Sequence, residues 1–65
     1  MTKNQQARTE QHWGQIAGEK VSVEFSGGVV YGFCGELGAR RLVDKMKHGR
    51  AEYSQNLGSW FYCNS

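Results

Sequence analysis

The sequence predicts a small α+β domain in which one amphipathic helix packs on one face of a small antiparallel β-sheet. Two observations indicate this class. Strand-like runs, of which "VSVEF" alternates apolar and polar residues, lie before residue 35 and after residue 50, and the apolar residues between these segments follow a helical period. A period that changes from two to about 3.6 and back is typical of a helix laid on an antiparallel sheet. The predicted element order is therefore β-β-α-β-β.

The first two strands are predicted to form a hairpin. In "VSVEF", the apolar residues Val21, Val23 and Phe25 alternate with polar ones, which places them on one face of a strand. The tight-turn sequence "SGG" then leads into the extended run "VVYGFC", as in a β-hairpin. Near the C-terminus, a short strand around Tyr53, the turn "QNLG" and the strand "SWFYC" complete the predicted sheet.

The segment between the two strand pairs is predicted to be an amphipathic helix with a basic outer face. Its apolar residues recur at i, i+3, i+4 and i+7, the stripe of a helix that packs on one side. They are Ala39, Leu42, Val43 and Met46. The basic residues in and directly after the helix are Arg40, Arg41, Lys45, Lys47 and Arg50. Asp44 is the only acidic residue among them, so we expect contact with a negatively charged partner; an ordinary solvated face is the alternative.

The chain of 65 residues is long enough for one domain. Residues 1–11 are polar without apolar periodicity, so we expect a flexible N-terminus followed by a single α+β domain over residues 12–65. Trp13, Ile16 and Ala17 are spaced for a short helix or a turn that anchors Trp13 against the sheet. Because a chain of this size buries only about 60% of its unfolded surface, association with a partner is favoured.

Composition excludes some functions and indicates the compartment. A formal net charge of +2 excludes an acidic DNA mimic and is small for a protein that binds by phosphate neutralisation alone. No apolar run approaches the roughly 20 residues of a membrane span, and the polar N-terminus is unlike a signal peptide. We therefore expect a cytoplasmic protein in which Cys34 and Cys63 are reduced thiols. A cross-strand disulfide is the alternative in an oxidising environment.

Gly32, Gly35 and Gly38 stand at the junction between the second strand and the helix. Their spacing does not match a dinucleotide fingerprint, and the Gly-Lys-Ser/Thr of a Walker loop is absent from the sequence. "GELG" matches the G-x-x-G loop that clamps the nucleotide backbone in KH domains, but Glu36 would then bring a carboxylate against a phosphate. We therefore expect these glycines to serve the strand end and a sharp entry into the helix.

The sequence contains no recognisable pattern of catalytic or metal-binding residues. Cys34 with His12 or His48 could form a nucleophile–base pair, but one helix on an open sheet provides no pocket to support it. The cysteines and histidines also lack the spacing of a zinc site. We therefore expect a protein that is not an enzyme and that holds no metal and no cofactor.

The eight aromatic residues are more than one helix-covered face of the sheet can bury. In "SWFYC", Trp60 and Tyr62 lie on one face, and Phe61 and Cys63 on the other. Two interpretations are open: Trp13 and the N-terminal segment cover the surplus rings, or the rings form an exposed platform for unpaired bases or a protein partner. The aromatic residues predicted to face away from the helix and bind the partner are Tyr31, Phe33, Trp60 and Tyr62.

The segment "VEFSGGVVYGF", the helix and "HGRAEYSQNL" together resemble the KTSC domain, a small bacterial module also found fused to some lysyl-tRNA synthetases. The central Y-x-Y of that family is matched by Tyr31, Gly32 and Phe33, after a hairpin that contains glycine. The resemblance covers about residues 21–56. It implies RNA binding, and no individual binding residue follows from it.

Size, clustered positive charge and surplus aromatic rings predict a small non-enzymatic binding module or inhibitor, of the type that phages and mobile elements encode. We expect it to dock on a larger protein or protein–nucleic-acid complex through the basic helix face and the exposed rings. The alternative is a single-stranded nucleic-acid binder, for RNA or single-stranded DNA, that uses the same surfaces. A homodimer is a further candidate assembly, and no membrane association is expected.

Overall fold

The computed structural model describes residues 3–64, which form two helices and four strands. In chain order these are α1 (Lys3–Ala17), β1 (Ser22–Ser26), β2 (Val29–Cys34), α2 (Glu36–Met46), β3 (Arg50–Ser54) and β4 (Ser59–Asn64). The α+β class and the antiparallel sheet are confirmed. The predicted order β-β-α-β-β is wrong in one respect, because a further helix, α1, precedes the first strand.

The sheet is antiparallel throughout, and its strand order is β1-β2-β4-β3. Strands β2 and β4 are central, and β1 and β3 form the edges. The β1–β2 connection turns at Gly27 and Gly28, whose φ angles of 55° and 80° lie in the left-handed region that glycine tolerates. This turn is the one that the Ser-Gly-Gly sequence predicts.

Both helices pack on the same face of the sheet, called the covered face below. The core under them combines residues of both helices and of the sheet. Its buried members are Trp13, Ala17, Val21, Val23, Ala39, Leu42 and Tyr62. The apolar stripe predicted for α2 is confirmed, since Ala39 and Leu42 are fully buried while Val43 and Met46 pack at the margin of this core.

The indole ring of Trp13 joins α1 to the centre of the sheet. It is 3% exposed and meets the ring of Tyr62 edge to face, with centroids 5.1 Å apart. Gly32 on β2 leaves room for the indole, since a Cβ atom there would lie 2.6 Å from Cε3 of Trp13. Tyr62 is also buried, and its hydroxyl donates a 2.7 Å hydrogen bond to the backbone oxygen of His48. Trp13 therefore anchors the N-terminal segment against the sheet, as the sequence predicts.

The N-terminal segment is helical where a flexible lead is expected from the sequence. Residues 3–11 belong to α1, so the predicted boundary after residue 11 falls inside a helix; residues 1 and 2 lie outside the described chain. The side chains of Gln6 and Glu10 bond the backbone oxygen and nitrogen of Val23, each at 2.9 Å. These bonds satisfy two backbone groups of the edge strand β1. Because the contacts are polar, this part of α1 has no apolar stripe for a sequence pattern to detect.

The start of α2 is capped by an anion from within the chain. Gly35 precedes the helix without a side-chain cap, and its backbone N–H donates a 2.6 Å hydrogen bond to the carboxylate of Glu19. A Cβ atom on Gly38 would lie 2.8 Å from the carboxyl carbon of Glu19, so glycine makes room for that group. The helix dipole stabilises a carboxylate at this terminus. Gly35 and Gly38 thus serve the helix entry, whereas Gly32 lies inside β2 and not at its end. Glu19 takes the place beside Gly35 where a phosphate would bind.

Replacing Gly32 with alanine should lower the free energy of unfolding by about 1–3 kcal/mol, because the new methyl group overlaps the ring of Trp13. Thermal and denaturant unfolding followed by circular dichroism measure the change. Ser22→Ala, at an exposed position on the neighbouring strand, is the matched control and should change stability by less than about 0.5 kcal/mol. Equal stability of Gly32→Ala and the unmodified protein would show that Trp13 is not tightly packed at this position.

Candidate functional site

The face of the sheet opposite the helices is not covered by any element within residues 3–64, and it is called the open face below. Strand pairing and the alternation of side chains assign its members. They are Ser22, Glu24, Ser26, Val29, Tyr31, Phe33, Arg50, Glu52, Ser54, Ser59, Phe61 and Cys63. The open face thus has an aromatic centre on β2 and β4 and polar side chains on the two edge strands.

Tyr31, Phe33 and Phe61 form a contiguous aromatic cluster at the centre of the open face. The ring centroid of Phe61 lies 5.9 Å from that of Tyr31 and 6.1 Å from that of Phe33. All three residues are half-buried, because they shield one another within the sheet but have no helix above them. A group of large rings that keeps this contact with water marks a candidate surface for binding a partner.

Two transverse rows of side chains cross the open face, and the strand register sets their order. The first row is Glu24, Tyr31, Cys63 and Arg50, and the second is Ser22, Phe33, Phe61 and Glu52. Each row begins with a polar residue on β1, has an apolar centre and ends with a charged residue on β3. The last members of the two rows form an ion pair, with 3.1 Å between Nε of Arg50 and Oε2 of Glu52.

Two shallow depressions lie on either side of Tyr31. The first extends over Phe33 and Phe61 to Leu57, which is 62% exposed in the β3–β4 turn. The second borders Arg50 and Cys63. Both depressions are open to solvent. The shape of the open face therefore suits a broad contact with a macromolecule better than the enclosure of a small ligand.

The predicted aromatic contact residues are divided between the two faces of the sheet. Tyr31 and Phe33 lie on the open face, as predicted. The prediction that Trp60 and Tyr62 face away from the helices is wrong. Tyr62 is fully buried beside Trp13, and Trp60 packs at the margin of the same core.

Phe61 is the member of the aromatic cluster that the sequence-based prediction omits. The alternation in "SWFYC" correctly separates Phe61 from Tyr62, but it does not say which of the two is covered. The answer depends on Gly32, which pairs with Tyr62 across the sheet and leaves the space that Trp13 fills. A glycine opposite an aromatic residue is the sequence signal that could have identified the covered side.

Three of the five predicted basic residues form a hydrogen bond or an ion pair within the chain. Arg41 donates a 3.0 Å hydrogen bond to the backbone oxygen of Ala17, the last residue of α1. Arg40 pairs with Glu36 at 2.9 Å. Lys47 pairs with Asp44 at 3.9 Å, just beyond the end of α2. The exposed pairs contribute little to stability, but they reduce the positive potential of this helix face.

The remaining two basic residues point in different directions. Lys45 borders the groove between α1 and α2, whereas Arg50 lies on β3 and belongs to the open face. Arg50 is therefore the only one of the five predicted basic residues that lies beside the aromatic cluster. Arg50 thus lies apart from the basic residues of α2, of which Arg41 and Lys45 border the same groove.

A second and smaller group of rings lies at the β3 edge of the covered face. The guanidinium carbon of Arg40 is 5.9 Å from the ring centroid of Trp60, and the ring of Tyr53 lies 6.1 Å from the same ring. Tyr53 is 51% exposed. Two predicted contact residues, Arg40 and Trp60, are thus brought together, but on the helix side of the sheet.

The two cysteines are free thiols on opposite faces of the sheet. Cys34 pairs with Trp60 on the covered face, and Cys63 lies on the open face, so a disulfide between them is incompatible with this arrangement. Burial, with a smaller effect from the negative charge of Glu19, raises the pKa of the Cys34 thiol to about 11. An activated nucleophile has the opposite shift. Within residues 3–64, no group of three or more His, Cys, Asp or Glu side chains could hold a metal ion.

Comparisons with known proteins identify no family. No family model matches the chain, and no curated protein and no solved structure matches it. The resemblance to the KTSC domain therefore stays a hypothesis based on short motifs. Neither helix within residues 3–64 is long and apolar enough to cross a membrane.

Alkylation of Cys34 by iodoacetamide should be slow near neutral pH and should accelerate as the pH rises towards 11. A thiol with a pKa of about 11 carries roughly 100-fold less thiolate at neutral pH than one with the ordinary value of 9.0. Mass spectrometry of a Cys63→Ser variant follows Cys34 alone, and unfolding in denaturant serves as the control that restores the ordinary reactivity. Equal rates in the folded and unfolded protein would contradict the burial of this thiol.

Proposed function

We propose that this chain is a small non-enzymatic binding module or inhibitor that docks on a larger protein through the open face of its sheet. The observation that carries the proposal is the cluster of Tyr31, Phe33 and Phe61, which no element within residues 3–64 covers. Clustered aromatic residues near the centre of an interface contribute most of the binding free energy in many protein complexes.

The surroundings of the aromatic cluster support a protein partner. Polar and charged side chains of β1 and β3 frame the rings on both sides, and an apolar centre with a polar rim is the usual anatomy of a protein interface. Leu57 adds an exposed apolar side chain at one end of the cluster. The size of the chain supports the same proposal, because a domain this small gains stability when a partner covers apolar surface.

Electrostatics favours a protein over a nucleic acid at the open face. Within residues 3–64, Arg50 is the only one of the eight basic residues that lies in a strand, and Glu52 neutralises it. Glu24 stands beside Tyr31 on the other edge of the face. A phosphate backbone laid across the rings would meet these two carboxylates, whereas nucleic-acid binding requires cations that replace the counterions of the phosphates.

Binding of single-stranded RNA or DNA is the second candidate function. The observation in its favour is that the aromatic cluster lies on the two central strands of a four-stranded sheet, a platform on which unpaired bases can stack. The resemblance to the KTSC domain also implies RNA. A titration with single-stranded RNA and DNA at low and high salt separates the two functions, because phosphate contacts make the affinity fall steeply with salt.

Tyr31→Ser should reduce capture of the protein partner from a lysate of the native host by roughly tenfold or more, because it removes a central ring of the interface. The immobilised chain is the bait, and mass spectrometry identifies and quantifies the captured protein. Tyr53→Ser is the matched control. Tyr53 is also a strand tyrosine and is 51% exposed, but it lies on the covered face, so its loss should leave capture nearly unchanged.

Phe61→Ser tests the same surface from the neighbouring strand and should reproduce the effect of Tyr31→Ser. Circular dichroism establishes that each variant keeps the fold. Equal loss of capture for Tyr53→Ser and Tyr31→Ser would place the docking surface elsewhere on the chain. Salt-sensitive binding to single-stranded RNA that depends on Tyr31 would establish the second function in place of the first.

A further inference from the structure

We propose that a second copy of this chain covers the open face of the free protein, in a two-fold symmetric dimer whose axis runs parallel to the strands. The inference rests on the proposed function in one point, since it treats the open face as a docking surface. It adds that a second copy of the chain occupies the open face and that the larger protein has to displace this copy. The order of the side chains in the two transverse rows leads to this arrangement.

In the first row, the two-fold axis brings opposite charges together. Rotation about an axis parallel to the strands lays each row on the same row of the second copy, in reverse order. Glu24 at the β1 end then faces Arg50 at the β3 end of the other copy, and this contact occurs twice in each dimer. At the centre of the row, the large ring of Tyr31 faces the small side chain of Cys63 and the depression beside it.

The second row is complementary under the same rotation. Phe33 faces Phe61 of the other copy, and the hydroxyl of Ser22 faces the carboxylate of Glu52 as a hydrogen-bond donor. No member of either row faces a like charge. A two-fold axis perpendicular to the strands would instead place Arg50 opposite Glu52, which it already pairs with inside its own chain, and Glu24 opposite Ser22. That arrangement leaves Glu24 without a cation, so the parallel axis is favoured.

The known geometry of packed sheets accommodates this dimer. Aligned sheets lie about 10 Å apart with their strands within about 30° of each other. The extended side chains of Glu24 and Arg50 together span a gap of that size. Association through the β1 edge is less suitable, because Gln6 and Glu10 of α1 already bond the backbone of Val23 there.

The dimer is expected to be weak because the open face is small. Four strands of five or six residues present a flat area on the order of 300 Å² per copy. A standard stable interface buries about 800 Å² per partner. We therefore expect a dissociation constant on the order of 0.1 mM, which lets a tighter protein partner displace the second copy.

Charge-exchange variants test the dimer by sedimentation equilibrium at total concentrations up to about 1 mM, since the expected association is weak. Glu24→Arg alone places arginine opposite Arg50, and Arg50→Glu alone places glutamate opposite Glu24. Each variant by itself should dimerise at least about tenfold more weakly than the unmodified chain. An equimolar mixture should recover the original affinity, because both contacts of the mixed dimer again join opposite charges.

The mixture makes the result independent of any loss of fold in a single variant, since an unfolded chain cannot restore association. A monomeric unmodified chain, variants that dimerise as well as the unmodified chain, or a mixture no better than its components would each overturn the proposed dimer. The proposed function is judged separately. If capture depends on Tyr31 but the chain stays monomeric, the proposed function is retained and the dimer is rejected. If the chain dimerises but captures no protein, the dimer is retained and the proposed function is rejected.

Discussion

The packing of Trp13 against Gly32 is the contact on which the rest of the structure depends. The indole occupies the space in which a side chain on the central strand β2 would stand, and it brings α1 onto the same face of the sheet as α2. Because side chains alternate along a strand, the covered position of Gly32 leaves Tyr31 and Phe33 on the other face. One contact thus determines both where the core forms and which rings remain in contact with water.

Polar side chains form hydrogen bonds that hold the two helices on the covered face. Because these side chains bond within the chain, they are not free to contact a partner. Arg41 bonds the end of α1, and Glu19 bonds the start of α2. In a domain with so few buried apolar residues, these hydrogen bonds help to hold the two helices in place, where a larger core would do so by packing alone. The covered face is therefore largely buried in the folded domain, whereas the aromatic rings of the open face remain partly exposed.

Local periodicity accounts for the parts of the fold that could be predicted from the sequence. The hairpin at Gly27 and Gly28, the helix α2 and the closing strands each follow from the spacing of apolar and turn residues. Helix α1 could not be predicted over residues 3–11, because its contacts there are hydrogen bonds from polar side chains to an edge strand. The alternation of side chains sorts the residues of β4 into two faces. It does not show which of the two faces a helix covers, so that part could not be predicted.

The distribution of charge, rather than its total, supports the proposal that the aromatic cluster binds a protein. The chain carries a formal net charge of +2, but the open face holds one cation, Arg50, and two anions, Glu24 and Glu52, and so has a formal charge of −1. The surplus of positive charge therefore lies on other parts of the domain. A nucleic-acid strand on the rings would meet only one cation, Arg50, which is paired with Glu52, whereas the proposed protein partner needs only its own apolar patch.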